Sequence, residues 1–135
     1  MDKELIELIK KWHIKADNDL ETIKDVLQSD NIITDSICFH SQQAAEKYLK
    51  SYLVALQKPF KNTHNITTIL KNCIEQDIDF EDLDFAVYLT NYAVELRYPD
   101  DFYIPDQEEA EEAYSIALKV KEFVQKKITG LIKDN

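Results

Sequence analysis

The sequence predicts an all-α protein, a bundle of helices joined by short connections. Two observations carry that prediction. Apolar residues recur in steps of three and four through most of the chain, the period of a helix with one buried face. The 135 residues also contain one glycine and three prolines, so little interrupts such a run, and the abundant Leu, Ile, Lys, Glu, Ala and Gln favour helix. Residues 1–135 read as a single domain, long enough to bury a real core.

The first helix spans about Asp2 to Gln28, with Leu5, Leu8/Ile9, Trp12, Ala16, Leu20, Ile23 and Leu27 on one face. Trp12 reads as a core anchor there, and His13, beside the stripe, as a solvated surface residue. Ser29-Asp30-Asn31 breaks the pattern with turn and cap residues. A second helix, about Thr34 to Gln57, is ended by Lys58-Pro59 and turns Ile37, Ala44/Ala45, Tyr48, Leu49, Tyr52, Leu53 and Leu56 inward. Its small Ala44 and Ala45 let a neighbouring helix come close. Glu46 and Lys50, four residues apart, read as a surface ion pair. A polar stripe of Ser36, His40, Gln43 and Lys47 runs along the same helix, ordinarily a solvated face. His40 and Gln43 lie within one turn, however, and project together as a ligand-binding or dimer-facing wall would.

A short third helix, about Asn65 to Gln76, carries Ile66, Ile69, Leu70, Cys73 and Ile74, with Thr63 or Asn62 as its cap. His64 at its start reads as a loop-packing residue. After a turn at Asp77 to Asp79, Asp79 with Asp82 caps a fourth helix that runs to Arg97. Asp106 with Glu109 then makes a capping box after Pro105, and the last helix continues to about Ile132 through Ala110, Ala113/Tyr114, Ala117, Val120, Val124, Ile128 and Leu131. Its glutamates come first and its lysines later, as the helix dipole favours.

Arg97-Tyr98-Pro99-Asp100-Asp101-Phe102-Tyr103-Ile104-Pro105 is the irregular passage in which chemistry concentrates. The fourth helix places Leu83, Ala86/Val87, Thr90 and Val94 on its buried stripe, and the next position on that stripe is Arg97. A guanidinium there needs a paired anion or a wet cleft. Pro99 drives Tyr98 out of the α region, so Arg97 occupies the last helical turn. Arg97 therefore either snorkels to a local Asp or faces a cleft and binds phosphate. The candidate binding residues are His40, Gln43, Lys47, Arg97, Tyr98 and Asp100.

With 26 acidic against 16 basic residues, the net charge of −10 argues against a broad, sequence-blind grip on nucleic acid but leaves room for a local basic pocket. Cys38 and Cys73, without CxxC or Cys/His spacing, read as buried thiols of a reducing cytoplasm, and no metal or cofactor is expected. No signal pattern or membrane-length apolar run appears, so a cytoplasmic chain without membrane contact is expected.

The run Cys38-Phe39-His40-Ser41-Gln42-Gln43-Ala44-Ala45-Glu46-Lys47-Tyr48-Leu49-Lys50 resembles the second-helix signature of the HEPN domain family. Thr63-His64-Asn65-Ile66 with Ile69-Leu70 resembles its passage into the third helix, and Leu89-Thr90 with Arg97-Tyr98-Pro99-Asp100 the end of its fourth. The similarity extends from about Trp12 to Val124 in the right order. It implies a five-helix, mostly up-and-down bundle that dimerises, in a prokaryotic setting, often beside a minimal nucleotidyltransferase in a toxin–antitoxin pair.

Many members of that family are metal-independent ribonucleases whose signature is an Arg, four to six intervening residues, and then a His. The Arg neutralises phosphate and the His moves the proton of the attacking or leaving oxygen. Arg97 matches the first position, but Tyr103 stands where the His is expected. A phenol titrating near 10 is a poor base at neutral pH, so the resemblance implies a nucleotide- or RNA-phosphate-binding module with little or no ribonuclease activity. The same spacing of Arg and Tyr also resembles a variant in which the partner nucleotidyltransferase adenylylates the Tyr. That alternative makes the chain an active ribonuclease toxin using Arg97 and silenced at Tyr103.

Overall fold

In the computed structural model, which describes residues 1–92 and 103–133, helix α1 (Lys3–Leu27) begins where the Asp2 carboxylate accepts the amide N–H groups of Glu4 and Leu5. It buries Ile9, Ala16, Leu20 and Ile23, a narrow stripe that seats on one neighbour. Trp12 and His13 lie on the two margins of this stripe, and both differ from expectation. Trp12 is half-buried rather than a core anchor, with its indole edge-on to Phe60 at 6.1 Å. His13 is half-buried rather than solvated, stacked at 5.0 Å on Tyr48 with Nε2 2.9 Å from Ser51 Oγ. The Ser51 hydroxyl donates to the Tyr48 carbonyl, so His13 Nε2–H is the donor in that pair.

Helix α2 (Thr34–Ala55) is the centre of the bundle and packs against α1, α3 (Ile66–Gln76) and α4 (Gln107–Lys133). Ala44 and Ala45 are fully buried, as their size suggested, and so are Ile37, Tyr48 and Leu49. The helix ends two residues earlier than expected, at Ala55, and Gln57 takes a left-handed φ of 56° that turns the chain. Cross-helix partners fix directions. His13 meets Ser51, Asp17 meets Tyr48, and Asp19 meets His40 and Lys47, so numbers rise in α1 as they fall in α2 and the two helices run antiparallel. Thr34 bonds the Pro105 carbonyl at 2.6 Å, and Lys121 lies over the Tyr48 ring at 6.0 Å; numbers rise together, so α4 runs parallel to α2.

Between them, residues 56–65 return alongside α2, and the His64 carbonyl accepts from Gln42. The cap of α3 is Asn65, which accepts the Thr68 amide, and not Thr63 or Asn62. Thr63 instead accepts the Asn65 N–H, one step outside the helix. The fourth element is a 3₁₀ helix, η1 (Ile78–Leu89), where an α-helix was expected, and its cap is Asp77, not Asp79. The reason is legible in retrospect. Its buried residues are Phe80, Leu83, Ala86 and Leu89, a strict step of three, which only three residues per turn places on one face. Leu83 leaves helical geometry (φ −101°, ψ 19°), so the element is two short pieces joined at a kink. Phe80 bridges Tyr52 (4.4 Å) and Phe123 (5.0 Å), tying η1 to α2 and α4.

These elements make an all-α, five-helix, mostly up-and-down bundle; among the described residues there is no strand, and no helix is long and apolar enough to cross a membrane. Cys38 and Cys73 are buried free thiols, and burial pushes both up to about 12.

Burial likewise lowers the His13 imidazole below its ordinary value of 6.5, ahead of an opposing pull from Asp17. The unfolded chain then takes up a proton that the folded chain resists, so stability falls as pH drops below about 6.5. Urea denaturation between neutral and mildly acid pH should show this decline in the wild type and a shallower one in His13→Gln.

Candidate functional site

The polar stripe of α2 meets a partner that the sequence did not suggest. Asp19 of α1, only 8% exposed, receives His40 Nδ1 at 2.7 Å on one oxygen and Lys47 Nζ at 2.6 Å on the other. His40 and Lys47 are thus bound within the bundle rather than presented as an uncovered wall. A carboxylate only accepts, so His40 carries its proton on Nδ1 and a neutral ring keeps Nε2 as a proton acceptor. Gln43 turns away from this pair and donates to Gln42 Oε1 at 2.7 Å.

Beside it lies a buried charge cluster. Glu46 and Lys50 are 3% and 5% exposed, so the pair expected on the surface is an interior one, with Nζ 2.6 Å from Oε1. α2 is wrapped on most of its circumference, and the row Gln42, Glu46, Lys50 abuts its buried Leu49 and Leu53. Gln42 Nε2 donates to Glu46 Oε2 (3.0 Å) and to the His64 carbonyl (2.8 Å). His64 Nδ1 donates to the same carboxylate at 3.0 Å, so this residue anchors the 56–65 connection rather than merely packing a loop. The Lys50 ammonium also lies 5.9 Å from the Phe60 ring centre.

At the end of the bundle where α2 and α4 begin, Tyr103 is half exposed (51%) and its hydroxyl donates to Glu109 Oε2. The other Glu109 oxygen accepts from Tyr92 at 2.8 Å. Asp106 caps α4 through the Glu109 amide at 2.8 Å, as expected, but the Glu109 side chain serves the two tyrosines instead of closing the box. The hydrogen bond to Glu109 pushes the Tyr103 phenol up to about 12. Burial first, and Glu109 second, raise Tyr92 as well. Tyr88, Leu89, Tyr92, Glu109, Glu112 and Ile116 line a cleft of about 290 Å³ here.

Of the sequence-derived candidates, Arg97, Tyr98 and Asp100 lie outside the described residues. Tyr103 belongs to the Glu109 cluster, and His40 and Lys47 to the Asp19 cluster. Among the described residues no hydrogen bond or ion pair joins these two groups. Sequence reasoning missed Asp19, Glu109 as the tyrosine acceptor, and the Gln42–Glu46–His64 group. The signal for the last was available, because its row borders an apolar arc already wider than one face.

Fold and site together define an all-α domain organised on a central helix that carries a buried polar cluster beside its apolar core. The family model for the HEPN domain matches residues 9–128, and the chain belongs to that family, whose modules are related to nucleotides and RNA. No curated protein and no solved structure matches the chain.

Glu46→Gln should strand the buried Lys50 ammonium and cost about 3–5 kcal/mol, read as a drop in urea midpoint. Replacing both partners, as in Glu46→Leu with Lys50→Met, should recover much of that loss.

Proposed function

We propose that this chain is a homodimeric HEPN module that binds a nucleotide or RNA phosphate through Arg97, in a prokaryotic toxin–antitoxin-type system with a minimal nucleotidyltransferase, and has little or no ribonuclease activity of its own. The observation that carries this reading is the state of Tyr103. It stands at the place of the family's usual His, and its hydroxyl donates its proton to Glu109, a contact that pushes the phenol up. Such a group is protonated throughout the physiological range and is no base for a 2′-hydroxyl. Arg97 alone supplies charge neutralisation, which favours binding over cleavage. Exposed Tyr88, Tyr103 and Ile104 gather apolar surface at this end of the domain, as a dimer contact would.

The purified chain should therefore run as a dimer in light scattering and leave RNA intact without metal. It should bind RNA with an affinity that Arg97→Ala lowers about tenfold or more, the worth of one charged hydrogen bond. Robust cleavage lost in both Arg97→Ala and His40→Ala would overturn the reading and make His40 the base.

The alternative, an active ribonuclease toxin silenced by adenylylation, is favoured by the same exposed hydroxyl. Glu109 can take the phenol proton as the oxygen attacks the α-phosphorus of ATP and pyrophosphate leaves. The added AMP would place negative charge where RNA phosphate binds. Co-expression with a nucleotidyltransferase encoded beside this gene should then add AMP-sized mass increments that vanish in Tyr103→Phe. Increments on Tyr114 or Tyr98 would rule this role out.

A further inference from the structure

Leu8, Lys11, Trp12 and Lys15 share one side of α1, and Lys47 of α2 closes a shallow depression of about 220 Å³ around them. In a chain of net charge −10, Lys11 and Lys15 beside an indole make a local basic patch. Lys47 is already matched by Asp19 at 2.6 Å. Among the described residues Lys11 and Lys15 form no ion pair, although neighbouring Lys10 pairs with Glu7. Trp12 is half-buried and braced by Phe60, so the indole is held in place and part of it remains open.

We propose that this depression binds single-stranded RNA, with one base stacked on Trp12 and the flanking phosphates on Lys11 and Lys15. The proposal rests on the RNA-binding reading above and adds a site separate from the Arg97 segment. Every base offers a π-face to an aromatic platform, so the contact is tolerant of sequence. Lys11 and Lys15 stand one turn apart, with Cβ atoms about 5–6 Å apart, a spacing suited to adjacent phosphates along a strand. The lining is mostly Leu8, Trp12 and lysine stems, which a base covers and an acidic side chain does not. The acidic remainder of the surface confines contact to a few nucleotides.

Trp12 is the single tryptophan, so its fluorescence reports this site directly. Titration of the full chain with short oligouridine should quench it saturably, and anisotropy of a labelled oligomer should give the same affinity. Two phosphate contacts predict a log–log salt slope of about −1.4. Lys11→Glu with Lys15→Glu, both exposed positions, should weaken binding about tenfold or more with an unchanged helical circular dichroism spectrum. Trp12→Ala should weaken binding, followed by anisotropy, about tenfold. RNA binding by anisotropy without Trp12 quenching, and indifferent to the lysine changes, would overturn this site while leaving the Arg97 reading standing. No RNA binding at all would remove both. Equal quenching by polyglutamate, by anionic lipid vesicles or by free AMP would overturn it in favour of an acidic peptide, a membrane surface or a mononucleotide.

Discussion

The bundle depends on how it satisfies Glu46. A carboxylate 3% exposed in the central helix is tolerable only if its charge and its lone pairs are met, and three groups do so. Lys50 supplies the opposite charge, Gln42 and His64 supply N–H donors, and the His64 carbonyl takes the remaining Gln42 proton. The geometry has a topological effect. Because His64 must reach back to the middle of α2, residues 56–65 cannot form a tight turn and instead run the chain back alongside the helix. α3 then starts beside α2 and proceeds in the same general sense, with Cys73 Sγ reaching the Leu49 carbonyl at 3.5 Å. A simple alternation of up and down is broken at one ion pair.

A second consequence of the crowded central helix is that its polar stripe is paid for by neighbours. Asp17 and Asp19 flank the buried stripe of α1 on opposite margins. Asp17 meets the Tyr48 hydroxyl and Lys121 of α4, and Asp19 meets His40 and Lys47. These cross-helix pairs fix register in a way that apolar contact, tolerant of slippage, does not. They also leave His40 oriented and tautomerically defined, a condition for binding an anion as much as for moving a proton.

Much of this was legible in the sequence. The boundaries of α1 and α4, the close approach at Ala44 and Ala45, the buried cysteines and the cap at Asp106 follow from period and cap chemistry that operate over a few residues. The errors share a cause, which is that burial is decided by neighbours remote in sequence. Glu46 and Lys50 have the spacing of a surface pair, and only the return of His64 encloses them. Trp12 and His13 sit on the margins of a stripe narrowed by having one principal neighbour. On a 3.6-residue wheel Val87 and Thr90 fit the buried stripe as well as Ala86 and Leu89, so the sequence pattern between Phe80 and Leu89 does not separate 3₁₀ from α winding. The acceptor of Tyr103 is Glu109, a residue whose sequence position predicts capping instead.

The winding of η1 also sets a length. Each 3₁₀ piece of η1, on either side of the kink at Leu83, rises about 2.0 Å per residue, against about 1.5 Å for the same residues wound as an α-helix. The element is pinned near its start, where Phe80 lies between Tyr52 and Phe123, and just past its end, where Tyr92 is held by Glu109. It therefore works as a bent spacer between those two anchor points. Rewinding either piece at the tighter rise would shorten the reach between them and shift Tyr88, carried on the second piece, along the cleft it lines.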